Sequence, residues 1–446
     1  MSKRPPSTAP ATSDAVRWLY GLQHSGIKLG LDNIRALLDL LGHPERSYPS
    51  VLIAGTNGKG SVAAMLEAML RAHGIRAGMY SSPHLVRPTE RIRIGGEDIS
   101  AAELDRLLVE TRARLERGVE RGTLAVQPSF FETMTAVALQ AFKEGGVECA
   151  VLEVGMGGRL DATNAVDAAM GVVVTIDYDH VEHLGGTIER IAGEKAAIAK
   201  PGKPLVSGVA QDEARAILRA AADRAGAELV EARRLADVHD LADGRFEIRT
   251  PQRTYSDLRP PLRGRHQRDN ARVAIVALQT LGSELGFEVD AARAREGLAS
   301  TRWPGRLQWI EAKPPLMLDG AHNAAGAEAL AEFLASQASR RRAVLLFGLT
   351  KDKEAQGIVG PLAERVDAVV VTRARVERAA EPEDVARSFR DLVKRVEVVR
   401  DPAEALERAR LLALPDGYVL VAGSLYLVGE VLGLIEDRPV PGPVSM

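Results

Sequence analysis

Between Val51 and Val209, short apolar, β-branched runs alternate with segments whose apolar residues recur at helical spacing. VLIAG, IRAGMYS, VECAVLEVG, MGVVVTI and KPLVSGV are the strand candidates. Apolar runs of this kind, joined by helices, predict a mostly parallel sheet covered on both faces. The texture changes at residues 244–258, GRFEIRTPQRTYSDL, where apolar and polar positions alternate around turn formers and predict a small antiparallel appendage. ARVAIVALQTL then carries helical spacing through residues 270–285. STRWPGRL, residues 300–307, breaks the pattern with proline and glycine. Beyond it PLMLDG, RAVLLFG, VDAVVVT, VEVVR and YVLVAG read as strands, separated by the amphipathic AGAEALAEFLASQ and EPEDVARSFRDLVKRV. The expected chain is α/β throughout, with units at 15–299 and 308–446, a linker at 300–307 and a disordered polar leader at 1–14.

Length supports two units, because 446 residues exceed the size at which a single core usually keeps growing. Composition is that of an ordinary globular protein, 46% hydrophobic and 26% charged, and a net charge of -2 offers no basic excess to neutralise a nucleic-acid backbone. The single cysteine, Cys149, lies in an apolar run and has no partner for an internal disulfide, which fits a reducing compartment and a core position. The leader MSKRPPSTAPATSD has no apolar h-region, and no other segment approaches the length of a membrane span. The expectation is a cytoplasmic protein with neither nucleic-acid nor membrane partners.

Candidate chemistry gathers at the ends of the predicted strands, where parallel sheets bind ligands. VLIAGTNGKGS, residues 51–61, departs from the regular phosphate-loop spacing, since Ile53 stands where the first glycine belongs and Gly60 separates Lys59 from Ser61. The mechanism survives: Thr56, Asn57, Gly58, Lys59, Gly60 and Ser61 join a strand to a helix. Glycines let backbone N–H groups turn inward, the helix start adds its dipole, Lys59 brings a charge and Ser61 a magnesium-ligating hydroxyl. The bland alternative is a glycine-rich turn with a solvated lysine. YSSPHL places Ser82 as a cation ligand or a plain turn former. In LEVGMGGRLDATN, Glu153 closes a buried strand, where a carboxylate serves a metal or caps a neighbouring helix. TIDYDHVEHLG brings Asp177, Asp179, His180 and His183 into one loop; His180 is the better metal candidate, and His183 reads as structural. Lys195 falls on a helix that begins near Thr187.

GTNGKGS, SSPHL, EVGMGGRLDATN, DHVEHLG and GEKAAIAKPG stand in the order seen in folylpolyglutamate synthases, which belong to the Mur-ligase-like ATP-dependent amide ligases. The resemblance continues through GRHQRDNA, RWPGR, LDGAHN and AGSLYLVGEV and covers nearly the whole chain after the leader. It implies a P-loop ATPase-type domain with ATP and Mg2+, a C-terminal Rossmann-like glutamate ligase domain, and an active site in the cleft between them. Ser61, Ser82, Glu153 and His180 resemble the magnesium shell, and Lys195 resembles a lysine carbamylated by carbon dioxide. Asn270, Arg306 and Asp319 are similar to nucleotide contacts, and His322 and Ser424 to positions near the γ-phosphate and the incoming glutamate. Phe131, Asp161 and Ala162 resemble the folate pocket, although Phe131 also reads as a plain core residue.

The implied catalysts are Lys59, His180, Lys195 and His322. The implied reaction transfers the γ-phosphoryl group of ATP to a folate carboxylate and then displaces phosphate with the amine of L-glutamate. GIKLGLDNI, with Lys28 to Leu31, resembles the pterin-side segment of bifunctional bacterial members, so dihydropteroate is expected as a second acceptor, in a monomeric enzyme. Two rivals fare worse. A guanine-reading regulatory P-loop switch would carry an Asn-Lys-x-Asp segment, which is missing here, and SSPHL and LDATN argue against a cell-wall ligase.

Overall fold

A computed structural model describes residues 13–25, 30–124, 126–179, 181–337, 341–353 and 355–436. The first sheet is built from β1 (Ser50–Ala54), β2 (Ala77–Tyr80), β3 (Ile92–Ile94), β4 (Glu97–Asp98), β5 (Cys149–Glu153), β6 (Met170–Val173), β7 (Leu205–Ser207) and β8 (Leu229–Glu231). Their order is β4-β3-β2-β5-β1-β6-β7-β8, parallel except for the β2–β3 and β3–β4 pairs. β1 is buried along its whole length. Its pleat sends Leu52 and Ala54 into one apolar cluster and Val51 and Ile53 into the other, so the sheet has a core on each face. Each such aliphatic side chain contributes about 1.5–3 kcal/mol on burial.

The appendage is a three-stranded antiparallel sheet of β9 (Asp237–Asp240), β10 (Phe246–Arg249) and β11 (Thr254–Leu258). Phe246, Ile248, Tyr255 and Leu258 anchor it to the first unit's core. The helix predicted over 270–285 starts earlier and runs Arg265–Leu285. Its polar first turn, RHQRDN, hides the start from an apolar-periodicity reading. Helix Ala291–Ser300 packs so closely on helix Lys59–Ala72 that a Cβ on Gly297 would lie 2.5 Å from the Met69 Cα.

The second sheet comprises β12 (Gln308–Ile310), β13 (Leu316–Leu318), β14 (Ala343–Phe347), β15 (Ala368–Val371), β16 (Val396–Val398) and β17 (Tyr418–Ala422), in the order β12-β13-β17-β14-β15-β16. Only the edge strand β12 runs antiparallel, and helices again cover both faces. One expectation is corrected at the amino end: helix Asp14–Gly21 already begins at Asp14, and the Ser13 hydroxyl caps it by accepting the Val16 N–H. Residues 1–12 of the expected leader, and Lys28 in the pterin-side segment, lie outside the described residues. No described helix is long and apolar enough to cross a membrane.

Candidate active site

The loop after β1 is fastened to the end of β6. Thr56 N–H donates to the Thr175 carbonyl at 2.9 Å, Asn57 N–H to the Thr175 hydroxyl at 2.9 Å, and the Thr56 hydroxyl to the Asp177 carbonyl at 3.0 Å. Gly58 takes φ +83°, and a Cβ there would stand 2.5 Å from Asn270 Oδ1 and 2.9 Å from Val174 Cγ1. Glycine is therefore required by both backbone and space. Helix Lys59–Ala72 begins at once, with no side chain capping it. Its first N–H groups and dipole therefore face the cavity, the arrangement that binds phosphate. Trp303 closes against Gly60, where a Cβ would meet the indole at 2.5 Å. Buried Ser61 accepts from Gln267 Nε2 at 3.3 Å, and Gln267 Oε1 accepts from Asn270 Nδ2 at 2.9 Å, so the hydroxyl and the amide are held together.

Charges meet behind and beside this loop. Lys59 Nζ folds back to donate to the carbonyls of Gly55 (3.0 Å) and Thr56 (3.2 Å). Lys195, on helix Ile188–Ala196 with Thr187 as its cap, reaches the same Gly55 carbonyl at 3.0 Å. Burial, together with the Lys59 charge, pushes the Lys195 amine down to about 7, against the pull of Asp179, Asp161 and Glu194. Glu153, the last residue of β5, is 5% exposed and accepts the Ser82 N–H at 3.2 Å. Burial raises its pKa, while Lys59, Arg306 and Arg91 pull the other way. Among the described residues no cluster of three or more His, Cys, Asp or Glu is placed to hold a metal. A carboxylate that lines the same cavity as Ser61 and Ser82, beside a glycine-rich loop, is nonetheless a fitting set for magnesium, which keeps waters and takes much of its shell from substrate phosphates. His180 lies outside the described residues; His183 lines the cavity.

The residues expected on the folate side fall into two kinds. Asp161 is structural in its contacts: Oδ1 accepts from the Thr163 N–H (3.0 Å) and hydroxyl (2.6 Å), and Oδ2 from the Met156 N–H (3.0 Å). It holds the shape of the Gly155–Ala162 wall, and Ala162 is buried beside it. Phe131 projects into that wall, its ring close against Gly155 and 6.1 Å from the Tyr80 ring. Three neighbours escaped the sequence reading. Phe130 is stacked on Tyr20 at 5.7 Å, with the Arg91 guanidinium over its ring at 5.0 Å. Arg91 Nε donates to His84 Nδ1 at 2.8 Å, and buried His84 is kept neutral by desolvation and by the Arg91 charge. Nothing in ERIRI or SSPHL marks these side chains as one cluster, because their contacts span distant parts of the chain.

From the second unit come Asp319, His322 and Ser424, beyond the ends of β13 and β17, and Arg306 comes from the segment just before β12. Asp319 accepts the N–H groups of Leu307 and Ala321, each at 2.9 Å, which fixes both turns. His322 Nδ1–H donates to the Gly320 carbonyl at 2.6 Å and turns Nε2 toward Asp179. Ser424 caps helix Leu425–Ile435 by accepting the Tyr426 N–H. Two further residues cross the cleft: Asn323 pairs its amide with Asn57, and Lys353 pairs with Asp179. The loop, Glu153, Phe131, Asp161, Arg306, Asp319, His322 and Ser424 all open on one cavity of about 1010 Å³, large enough for a nucleotide together with a second anionic molecule. Lys195 stands behind its wall.

Residues 122–278 match the Mur ligase middle domain, and residues 305–425 the Mur ligase glutamate ligase domain. The dihydrofolate synthase/folylpolyglutamate synthase of Bacillus subtilis is 35% identical over 428 residues, spanning 94% of this chain and 98% of that protein. The chain belongs to the dihydrofolate synthase/folylpolyglutamate synthase family. The Escherichia coli member is 32% identical over 436 residues, with 98% of both chains covered. A folylpolyglutamate synthase structure from Mycobacterium tuberculosis, complexed with ADP and AMPPCP, superposes with a TM-score of 0.87 at 35% identity, covering 96% of this chain and 100% of that one. A bifunctional folylpolyglutamate synthase/dihydrofolate synthase from Yersinia pestis, complexed with AMPPNP and Mn ion, gives a TM-score of 0.82 at 31% identity, covering 97% and 100%.

Proposed function

We propose that this family member is an ATP-dependent carboxylate–amine ligase that joins L-glutamate to dihydropteroate and extends reduced folates. Residues 15–299 would serve as its ATP-binding domain, 300–307 as linker and 308–446 as its glutamate ligase domain. The observation that carries the reading is the single cavity in which a phosphate-type loop faces the strand ends of a second α/β unit. One unit holds the phosphoryl donor, and the other brings the amine to it.

A carboxylate does not condense with an amine at neutral pH, because the leaving group would be oxide or hydroxide. Attack of a carboxylate oxygen on the γ-phosphorus of ATP expels ADP and leaves an acyl phosphate. The glutamate amine then adds to the acyl carbon, phosphate departs with that oxygen, and the ammonium proton is lost to solvent or a nearby base. The chain supplies position and charge. The N–H groups of residues 58–61 and the Lys59 ammonium receive the phosphates, and Asn270, Arg306 and Asp319 hold the nucleotide. Ser61, Ser82, Glu153 and His180 would hold Mg2+, which when bound screens phosphate charge. His322 and Ser424 stand where the γ-phosphate and glutamate meet, while Phe131, Asp161 and Ala162 shape the folate side.

Lys195 fits carbamylation. Two lysine amines share the Gly55 carbonyl, and burial together with the Lys59 charge brings the buried one down to about 7, which favours the neutral form that adds carbon dioxide. The carbamate would add an anion beside the loop where an ammonium would repel metal. The enzyme acts as a cytoplasmic monomer with small-molecule partners only. The test is glutamate-dependent ADP release measured separately with dihydropteroate and with reduced folates. Turnover of both acceptors is expected, and ADP release independent of glutamate would overturn the reading.

A further inference from the structure

Two of the contacts between the α/β units are of opposite character. At the first, Leu85 and Val86 leave the first unit and pack in the apolar core of the second, and the Leu85 carbonyl lies so close to Gly429 that a Cβ there would stand 1.9 Å away. Glu90 secures this strap by accepting the N–H groups of Leu85 (2.7 Å), Val86 (3.1 Å) and Arg87 (2.8 Å). That joint is apolar and backbone-made. The second joint is polar: Lys353 pairs with Asp179, Asn323 Nδ2 donates to the same carboxylate at 3.3 Å, and His322 Nε2 lies 3.7 Å from it. The reciprocal Asn57–Asn323 amide pair, at 3.0 and 3.3 Å, ties this group directly to the phosphate loop.

Both ends of the ion pair are mounted on fixed backbone. Lys353 ends a turn held by the Lys353 N–H on the Thr350 carbonyl (3.1 Å) and the Lys351 N–H on the Arg378 carbonyl (2.8 Å). Asp179 follows β6, two residues beyond the segment bonded to Thr56. The side chains are 5% and 7% exposed, so each charge is out of water only while the units are together. In that state the Coulomb gain and the desolvation cost roughly offset, and the pair specifies register more than it adds strength. Removing Lys353 is different: it takes the lysine cation away from a buried carboxylate that keeps the Asn323 amide and the His322 ring beside it, and the closed arrangement is the one that suffers.

We infer that Lys353 is a positioning residue for ligation, registering the second unit over the phosphate loop through Asp179 while the Leu85–Val86 strap acts as the pivot. The inference rests on the ligase reading above. Without the latch the units stay attached at the strap, but His322 and Asn323 lose their fixed places opposite Asn57 and the loop.

The test compares full-length wild type with Lys353→Met and Lys353→Arg. It measures kcat and KM for glutamate and ATP, the affinity for AMPPNP with magnesium, thermal melting, and the radius of gyration by small-angle scattering in that nucleotide-bound state. Lys353→Met should lower kcat by about 30-fold or more, shift AMPPNP affinity by less than about 3-fold, and give a larger radius of gyration than wild type. Lys353→Arg should regain most of the kcat. Lys353→Gln replaces the methionine variant if that one melts early. An unchanged radius of gyration, or a raised KM for glutamate with kcat intact, would overturn the inference, the latter by making Lys353 a direct substrate contact. Wild type without glutamate-dependent turnover would instead sink the ligase reading, and the scattering comparison would still decide the latch.

Discussion

Replacing Gly58 with alanine probes the site through a single methyl group. The residue sits at φ +83°, and the new Cβ would be 2.5 Å from Asn270 Oδ1 and 2.9 Å from Val174 Cγ1. The left-handed backbone costs an L-residue about 1–2 kcal/mol. The contacts add overpacking of about 1–3 kcal/mol, because Val174 is buried at 1% exposure and has nowhere to move. Gly42, which ends helix Asp32–Leu41 at φ +74° with no atom within 4 Å of its Cβ position, isolates the backbone part. Gly42→Ala should therefore cost only the first amount, and Gly58→Ala the sum of both. The Gly58 methyl also displaces the Asn270 amide from Gln267, the residue that holds the Ser61 hydroxyl, so AMPPNP affinity measured by calorimetry should fall by at least about 10-fold, equivalent to about 1.4 kcal/mol. Gly42→Ala should bind nucleotide as wild type does. Equal melting temperatures and equal affinities for the two variants would refute the argument that this loop closes on the nucleotide through Asn270.

Lys59→Ala should leave melting nearly unchanged, since its bonds are to its own loop, yet cost at least about 3 kcal/mol of transition-state stabilisation, roughly 100-fold in glutamate-dependent ADP release. Lys195→Arg should be nearly inactive, whereas Lys195→Ala should recover activity with a short carboxylate or high bicarbonate; an active arginine variant would make Lys195 an ordinary cation. Glu430 is 5% exposed, and burial raises its carboxyl to about 7 despite the Arg375 N–H it accepts. The folded state then binds the proton more tightly than the unfolded state does. Stability is fully present below the ordinary carboxylate range and is lost as pH rises through about 7, by about 3 kcal/mol in all. Denaturation of Glu430→Gln between pH 4 and 8 should lack that decline, and a parallel profile would contradict the burial argument.

How far the sequence carried this picture depended on the range of each interaction. Strands such as Cys149–Glu153 and Ala368–Val371 are buried on both faces and announce themselves as apolar runs. The strands Ile92–Ile94, Glu97–Asp98 and Gln308–Ile310, at or next to a sheet edge, were missed, because their short exposed or half-exposed runs carry charged and polar residues that read as loop. The phosphate loop was legible, since its glycines answer to local geometry. Lys353 was not: its partner Asp179 lies 174 residues away, and an LTKDKE turn on its own reads as solvated charge. Ser424 and Asp319 entered only through the family resemblance, and their backbone-holding contacts emerged only from the fold.

The central claim is that a carboxylate oxygen of the acceptor passes through an acyl phosphate. Its most direct test is oxygen-18 placed in the acceptor's carboxylate, with the inorganic phosphate analysed by mass spectrometry after one round of glutamate ligation. The account predicts one labelled oxygen in the phosphate for each amide bond made. Unlabelled phosphate, released in step with amide formation, would contradict it.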